Sequence, residues 1–178
     1  MDVAMRHNNK KTETIATDLG TKPKELAKVA SGLAGVLADT YLLYLKTQNF
    51  HWNVTGPMFG ELHALFEAQY GDLAAAVDEL AERIRAIGEF APASFAQFRK
   101  LSKITDEENI LPAERMIAQG AADNEYVVRR MRELFELSEA AGDVETGDIL
   151  IRRMQYHAKQ AWMLRSYLHR VEDGAKAA

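Results

Sequence analysis

Cysteine is absent from all 178 residues. Disulfide scaffolds, thiolate zinc sites and thiol catalysis are therefore excluded, a reducing compartment is the natural setting, and any bound metal must take nitrogen and oxygen ligands. Proline is scarce, with four residues, and the eleven glycines are scattered through stretches rich in Ala, Leu, Glu and Arg. That balance disfavours sheets and makes an all-α fold the default. No continuous apolar run reads as long enough to cross a bilayer, and the opening segment MDVAMRHNNKKTETIATDLG lacks the apolar core of a signal peptide. A soluble cytoplasmic protein without membrane contact is expected. Basic excess is missing too: 22 Lys and Arg stand against 26 Asp and Glu, a net charge of -4. The body thus offers no overall field for nucleic acid, and any DNA contact must come from a local patch.

What is present is apolar material in helical register. At 47% hydrophobic residues, the length suits one domain with a real core. Residues 1–20 are polar without sustained period and read as a flexible tail, residues 21–172 as the helical domain, and residues 173–178 as a short C-terminal tail. Pro23 suits a first helical turn, and Leu26, Leu33, Leu37, Thr40, Tyr44 and Thr47 recur at helical steps until Asn53, Val54, Thr55, Gly56 and Pro57 end helix A. Helix B is expected over 60–87, with Leu62, Phe66, Gln69, Leu73, Val77, Leu80, Ile84 and Ile87 on one side and Gly88 as its stop. Residues 89–104 read as irregular or as a short crossover helix. Thr105 with Glu108 resembles a capping box for helix C, while Pro112 would delay the start to about 112. Helix C then runs to Ala140 or Ala141, Gly142 and Asp143 turn the chain, and helix D reaches about Val171. Four long helices with one longer B–C connection match a bundle in which B and C run parallel.

Chemistry enters on helix B. On a helical wheel His63, Glu67, Asp78 and Glu82 fall at about 0°, 40°, 60° and 100°, one narrow stripe, while the apolar face centres at about -80°. The stripe points out of its own bundle. His63 and Asp78 lie about 22 Å apart along the axis at 1.5 Å per residue, too far for one metal. The four positions are nevertheless symmetric about the point between Asp72 and Leu73. Two copies of helix B crossing antiparallel there would set His63 and Glu67 of one chain beside Asp78 and Glu82 of the other, twice. Gly71, Ala74 and Ala75 supply the small side chains such a crossing needs. His51, twelve residues before His63 and near the end of helix A, can join it across the turn. Sulfur-free His and carboxylate ligands suit iron in both oxidation states; zinc, manganese or cobalt would also fit. The competing reading makes the stripe an ordinary exposed face and His51 a hydrogen-bonded core histidine, and it leaves the symmetry unexplained. The chain has no Glu-x-x-His motif of the kind that builds di-iron sites inside a bundle.

The segment from Lys46 to Phe59 (KTQNFHWNVTGPMF), with Leu62-His63, Leu65-Phe66-Glu67, the run Val77 to Arg83 and the helix D run His157 to Arg165, resembles the Dps family, DNA-protecting miniferritins of starved cells, over about 22–170. The resemblance implies a ferritin-like four-helix bundle assembled as a hollow dodecamer, a homo-oligomer whose two-fold interfaces oxidise Fe(II) and whose cavity stores ferric mineral. It implies His51 and His63 as iron ligands from one subunit and Asp78 and Glu82 from its partner. Glu67 stands where the family commonly has Asp, one methylene shorter, and Trp52 matches the family's aromatic beside the site, a catalytic-site residue that would intercept oxidising equivalents; a simply packed tryptophan is the competing reading. Hydrogen peroxide is the oxidant the resemblance implies. For acidic three-fold pores, Glu125, Asp143, Glu145 and Asp148 are candidates, with helix-end carboxylates as the alternative. Family members often bind DNA through lysine-bearing tails. Here Arg6, Lys10, Lys11, Lys22, Lys24 and Lys28 face Asp2, Glu13, Asp18 and Glu25, a net +2, so non-specific DNA binding through the N-terminal tail and a merely solvated tail stand level. The main expectation is a ferroxidase and iron store; the alternatives are a nucleoid-associated, DNA-compacting protein with an incidental metal site and a helical binding module with no metal role.

Overall fold

The computed structural model of the chain describes residues 17–18 and 20–176. The tail expected over residues 1–20 lies outside the described residues apart from Thr17, Asp18 and Gly20; of these, Thr17 donates a hydrogen bond to the Ala86 carbonyl (2.6 Å). Among the described residues there are five helices and no strand: α1 (Pro23–Asn53), α2 (Phe59–Ala86), α3 (Phe95–Leu101), α4 (Ala113–Ala141) and α5 (Val144–Lys176). Four are long and α3 is the crossover piece. The boundaries follow local chemistry: Pro23 opens α1, Gly88 follows α2 at φ 91°, and Gly142 ends α4 in the left-handed region at φ 72°, where a Cβ would be strained.

Three expectations are corrected. The capping box at Thr105 and Glu108 does not start a helix; Pro112 precedes the first turn of α4, because Asp39, accepting from the Lys103 amide, and Glu107, accepting from the Asn109 amide, have gathered the preceding backbone into an irregular path. Helix α5 continues to Lys176, so residues 173–176 are not a tail; Glu172, Ala175 and Lys176 favour helix and Gly174 alone does not break it. The segment Lys24–Asn53 is long and apolar enough to cross a membrane by composition, with a window of mean hydropathy 1.3. Of that window, 61% is buried inside the bundle, which is what a core helix requires.

The interior has two apolar clusters with a polar layer between them. Leu33, Leu37, Leu43, Leu73, Leu80, Val127, Met131 and Leu150 belong to one cluster; Phe50, Leu62, Phe66, Met116, Ile117 and Leu164 belong to the other. The order in which each helix visits the clusters shows that α2 and α4 run parallel, with α1 and α5 antiparallel to them. Between the clusters lie Thr47, Gln69, Asn124, His157 and Gln160, all buried. Gln69 donates to Gln160 (2.9 Å), and His157 Nδ1 donates to Asn124 Oδ1 (2.8 Å), which is oriented by its own amide bond to the Gly120 carbonyl. Such satisfaction is what a buried polar layer needs to avoid a desolvation penalty. Burial, helped by the nearby Arg153 guanidinium, pushes the His157 pKa from 6.5 down to about 3.

The crossover is pinned by one carboxylate. Asp39, 1% exposed on α1, pairs with Arg130 of α4 and accepts from the Ser102 hydroxyl (2.7 Å) and the Lys103 amide (2.8 Å). Gly35 leaves the space the Arg130 guanidinium fills, since a Cβ there would collide with it. Asp39→Ala strands a largely buried cation and frees the crossover, so a loss of about 3 kcal/mol is expected in urea unfolding at fixed protein concentration. A second outcome concerns acid. The unfolded chain protonates His157 near 6.5 whereas the folded chain excludes that proton down to about 3, so the folded pKa is depressed and stability falls as pH drops through that window. Compared with His157→Gln, the wild type should lose up to about 1.4 kcal/mol more per pH unit below 6.5, read from urea midpoints at pH 7 and pH 5.

Candidate metal centre

The turn between α1 and α2 determines the site. Phe50 and Val54 are buried beneath it, the Val54 amide bonds the Phe50 carbonyl (2.9 Å), and Gly56 takes φ 103°, which only glycine adopts easily. The reversal brings the last turn of α1 against the first turn of α2. His51 Nδ1 donates to the His63 carbonyl (2.8 Å), and His63 Nδ1 donates to the His51 carbonyl (2.9 Å). The rings stack with centroids 3.8 Å apart and 22° between planes. Because a carbonyl can only accept, both Nδ1 atoms carry a proton, and in the neutral tautomer this selects, Nε2 is the nitrogen with the lone pair. Two imidazoles are thus held side by side with their metal-binding nitrogens free. His51 is 7% exposed and His63 is half-buried; Tyr70 meets the His51 ring edge-on at 5.2 Å, and Phe59 lies 5.1 Å from His63.

Glu67 follows His63 by one helical turn and is exposed. Asp78 and Glu82 are exposed at the far end of α2, about 22 Å and about 28 Å along the axis from His63, around an open depression of about 360 Å³ also lined by Ala75, Ala86 and Ile149. Accordingly, no group of three or more His, Asp and Glu comes together among the described residues of one chain. The pairing of charges is selective. Glu79 is bonded by Arg152 (2.6 Å), and Arg83 is held by Asp143 and lies 3.7 Å from Glu145. Glu67, Asp78 and Glu82 have no cation among the described residues. Gly71 and Ala74 are exposed between the two halves, and a Cβ added at Gly71 would meet nothing within 4 Å, so packing within this chain does not explain its smallness.

Trp52 is 64% exposed, beside Leu45, Asn49 and Ile110, and makes no ring contact with either histidine. Of the pore candidates, Asp143 is buried as the cap of α5, accepting from the Thr146 amide (3.0 Å) and hydroxyl (2.7 Å), while Glu125 pairs with Arg165 (2.9 Å) and Asp148 with Arg152 (3.0 Å). Sequence reasoning passed over Tyr70 and the two carbonyls. Tyr70 was detectable, two turns beyond His63 at about -20° on the same wheel; side chain to backbone bonds across a turn leave no spacing signal.

A ferritin-like domain matches residues 31–173. The chain is 32% identical over 148 residues to the DNA protection during starvation protein of Porphyromonas gingivalis, covering 83% of this chain and 93% of the relative. It is 35% identical over 133 residues to DNA protection during starvation protein 2 of Bacillus anthracis, covering 75% and 91%. The crystal structure of a Dps protein from Vibrio cholerae, described as a member of the ferritin-like diiron-carboxylate proteins, superposes with a TM-score of 0.82 at 29% identity, covering 88% of this chain and 99% of that one.

Anaerobic Co(II) titration reads the donors directly, because His nitrogen and carboxylate ligation gives visible d–d bands. His63→Ala is expected to weaken binding by about tenfold or more. Asp78→Ala is expected to do the same despite its distance within the chain; affinity equal to wild type would separate the carboxylates from the imidazole pair.

Proposed function

The chain belongs to the ferritin-like family and within it to the Dps proteins, and on that premise we propose that it oxidises Fe(II) at sites shared by two-fold-related copies and stores the ferric product, protecting DNA from iron-driven damage. The observation that carries this reading is the pair of free Nε2 atoms set against unpaired carboxylates at mirror positions of α2. An antiparallel crossing of two α2 helices near Gly71 gives each site His51, His63 and Glu67 from one copy and Asp78 and Glu82 from the other. Iron is the substrate. The imidazoles bind the ferrous ion as neutral donors, and the carboxylates balance the added charge when it becomes ferric, so oxidation does not expel it. Zinc, manganese or cobalt compete for the same donors.

The assembly in this proposal is a hollow dodecamer of two-fold dimers in the cytoplasm, with the mineral inside. Hydrogen peroxide is the oxidant: two ferrous ions give it two electrons, and with two protons it becomes two waters, so ferrous iron and peroxide are removed together. The N-terminal residues, net +2 over 1–28, supply weak, salt-dependent DNA contacts multiplied by the number of copies.

Complementation tests the shared site. His63→Ala and Asp78→Ala oligomers, each of confirmed assembly state, are expected to lose rapid ferric absorbance after anaerobic Fe(II) loading and peroxide. Unfolding and reassembling the two together makes half the dimers mixed, and each mixed dimer has one intact site, so about a quarter of wild-type activity returns. Wild-type rates in both single variants would sink the assignment and favour a DNA-compacting protein whose metal site is incidental.

A further inference from the structure

The imidazole pair does not end at the metal donors. Behind His51, away from α2's polar stripe, an unbroken file of phenol rings runs back along the α1/α2 interface. Tyr70 meets His51 edge-on at 5.2 Å, Tyr44 meets Tyr70 at 6.3 Å, and Tyr41 meets Tyr44 at 5.9 Å. Tyr41 then stacks on Phe98 at 4.7 Å and meets Phe95, 67% exposed, at 6.1 Å. Helix geometry makes the file: Tyr41 and Tyr44 are one turn apart, Tyr44 precedes His51 by two turns, and Tyr70 inserts from α2 into the gap between them. From His51 to Tyr41 is ten residues, about 15 Å along α1.

The three tyrosines are half-buried, packed by their rings and with their hydroxyls left toward water rather than spent on the protein. Buried tyrosine usually spends its hydroxyl on a hydrogen bond. None of Tyr41, Tyr44 and Tyr70 has a hydrogen-bond partner among the described residues, and none of the three hydroxyls is sealed from solvent in the single chain. The rings are fixed while the phenolic protons can leave to water, which is the combination a one-electron donor needs, since a phenol that gives up an electron must shed its proton.

We propose that Tyr70, Tyr44 and Tyr41 form an electron relay that supplies the second reducing equivalent when peroxide meets a site holding a single ferrous ion; this rests on the ferroxidase reading above. One ferrous ion can give only one electron. Peroxide would then split its O–O bond into hydroxide and a hydroxyl radical, the species a DNA-protecting protein must not release. With the relay, one electron comes from the ferrous ion and one from Tyr70, whose hydroxyl proton leaves. One peroxide, one ferrous ion, one tyrosine and one proton become one ferric ion, two waters and one neutral tyrosyl radical. Electron transfer from Tyr44 to Tyr70, and from Tyr41 to Tyr44, refills each ring in turn and moves the radical away from the imidazoles. Trp52, without ring contact to either histidine, is off this path.

The test uses the assembled oligomer with Fe(II) limiting at one ion per site, mixed anaerobically with peroxide and freeze-quenched for EPR, while ferric absorbance and a hydroxyl spin trap are followed in parallel. The wild type is expected to show a tyrosyl signal that narrows when the chain is grown on ring-deuterated tyrosine. Tyr70→Phe, which keeps the ring and loses the hydroxyl, is expected to lose that signal and to raise the trapped hydroxyl adduct. Tyr41→Phe should retain a tyrosyl signal, because Tyr70 and Tyr44 still donate. A wild type that forms ferric product with no tyrosyl signal, or with a tryptophanyl signal insensitive to tyrosine deuteration, overturns the relay and leaves the ferroxidase reading standing. Absence of ferric product in the wild type overturns both.

Discussion

The reciprocal imidazole–carbonyl bonds between His51 and His63 are the constraint on which the candidate metal site of this chain depends. Each bond uses up the one ring nitrogen that would otherwise compete for metal, so tautomer and orientation are fixed before any ligand arrives. The carbonyls involved belong to helix ends. The His51 carbonyl lies in the last turn of α1, where carbonyls lack intrahelical partners, so a side-chain donor there also satisfies a backbone group. One arrangement therefore serves the helix terminus, the turn and the site. It requires the reversal at 54–58 to be fixed, which explains why Val54 is buried and why glycine stands at position 56.

Length supplies the second constraint. A helix of 28 residues separates its two polar halves by more than any metal can bridge, and the charges around them are arranged as if the halves have different partners. Arg83 and Arg152 are tied to Asp143 and Glu79, which leaves Asp78 and Glu82 without a cation among the described residues, beside an open depression. Exposed carboxylates are cheap to leave unpaired in water. Bringing them up to two neutral imidazoles without a cation between would be unfavourable, so in the shared-site arrangement the ion and the contact between copies support each other.

Much of this was legible in the sequence, and what was missed has physical reasons. The apolar period gave α1 and α2 nearly to the residue, because both helices bury a continuous stripe and end at glycine or proline. The stripe of His63, Glu67, Asp78 and Glu82 was visible for the same reason: spacing on a wheel is a property of sequence alone. The start of α4 was ambiguous because Thr105 and Glu108 satisfy a local capping rule that Asp39, distant in sequence, overrides by taking the Ser102 hydroxyl and Lys103 amide. The end of α5 was placed short because Gly174 weighs against helix locally, although its neighbours outweigh it. Tyr70 lies between the polar and apolar sectors of α2, so neither sector's pattern singled it out.

The interior layer explains why the bundle's own interior is not the candidate metal site. In the middle of the four helices, where facing side chains could have gathered carboxylates, the chain has Thr47, Gln69, Asn124, His157 and Gln160. Gln69 and Gln160 bond one another, Asn124 donates to the Gly120 carbonyl, and His157 spends Nδ1 on Asn124, leaving one buried Nε2 without a partner. A lone imidazole nitrogen is a poor cation site, and the adjacent Arg153 guanidinium makes it worse by charge repulsion. Arg153 is itself turned outward to Asp72 (2.6 Å), the residue beside the symmetry point of α2. The same positive group that discourages a cation within the bundle thus orders the helix face on which two copies would cross. In the proposed arrangement, placing the ligands at the seam between two bundles rather than inside one would make oxidation conditional on assembly, so an unassembled chain would bind iron at most through half a site.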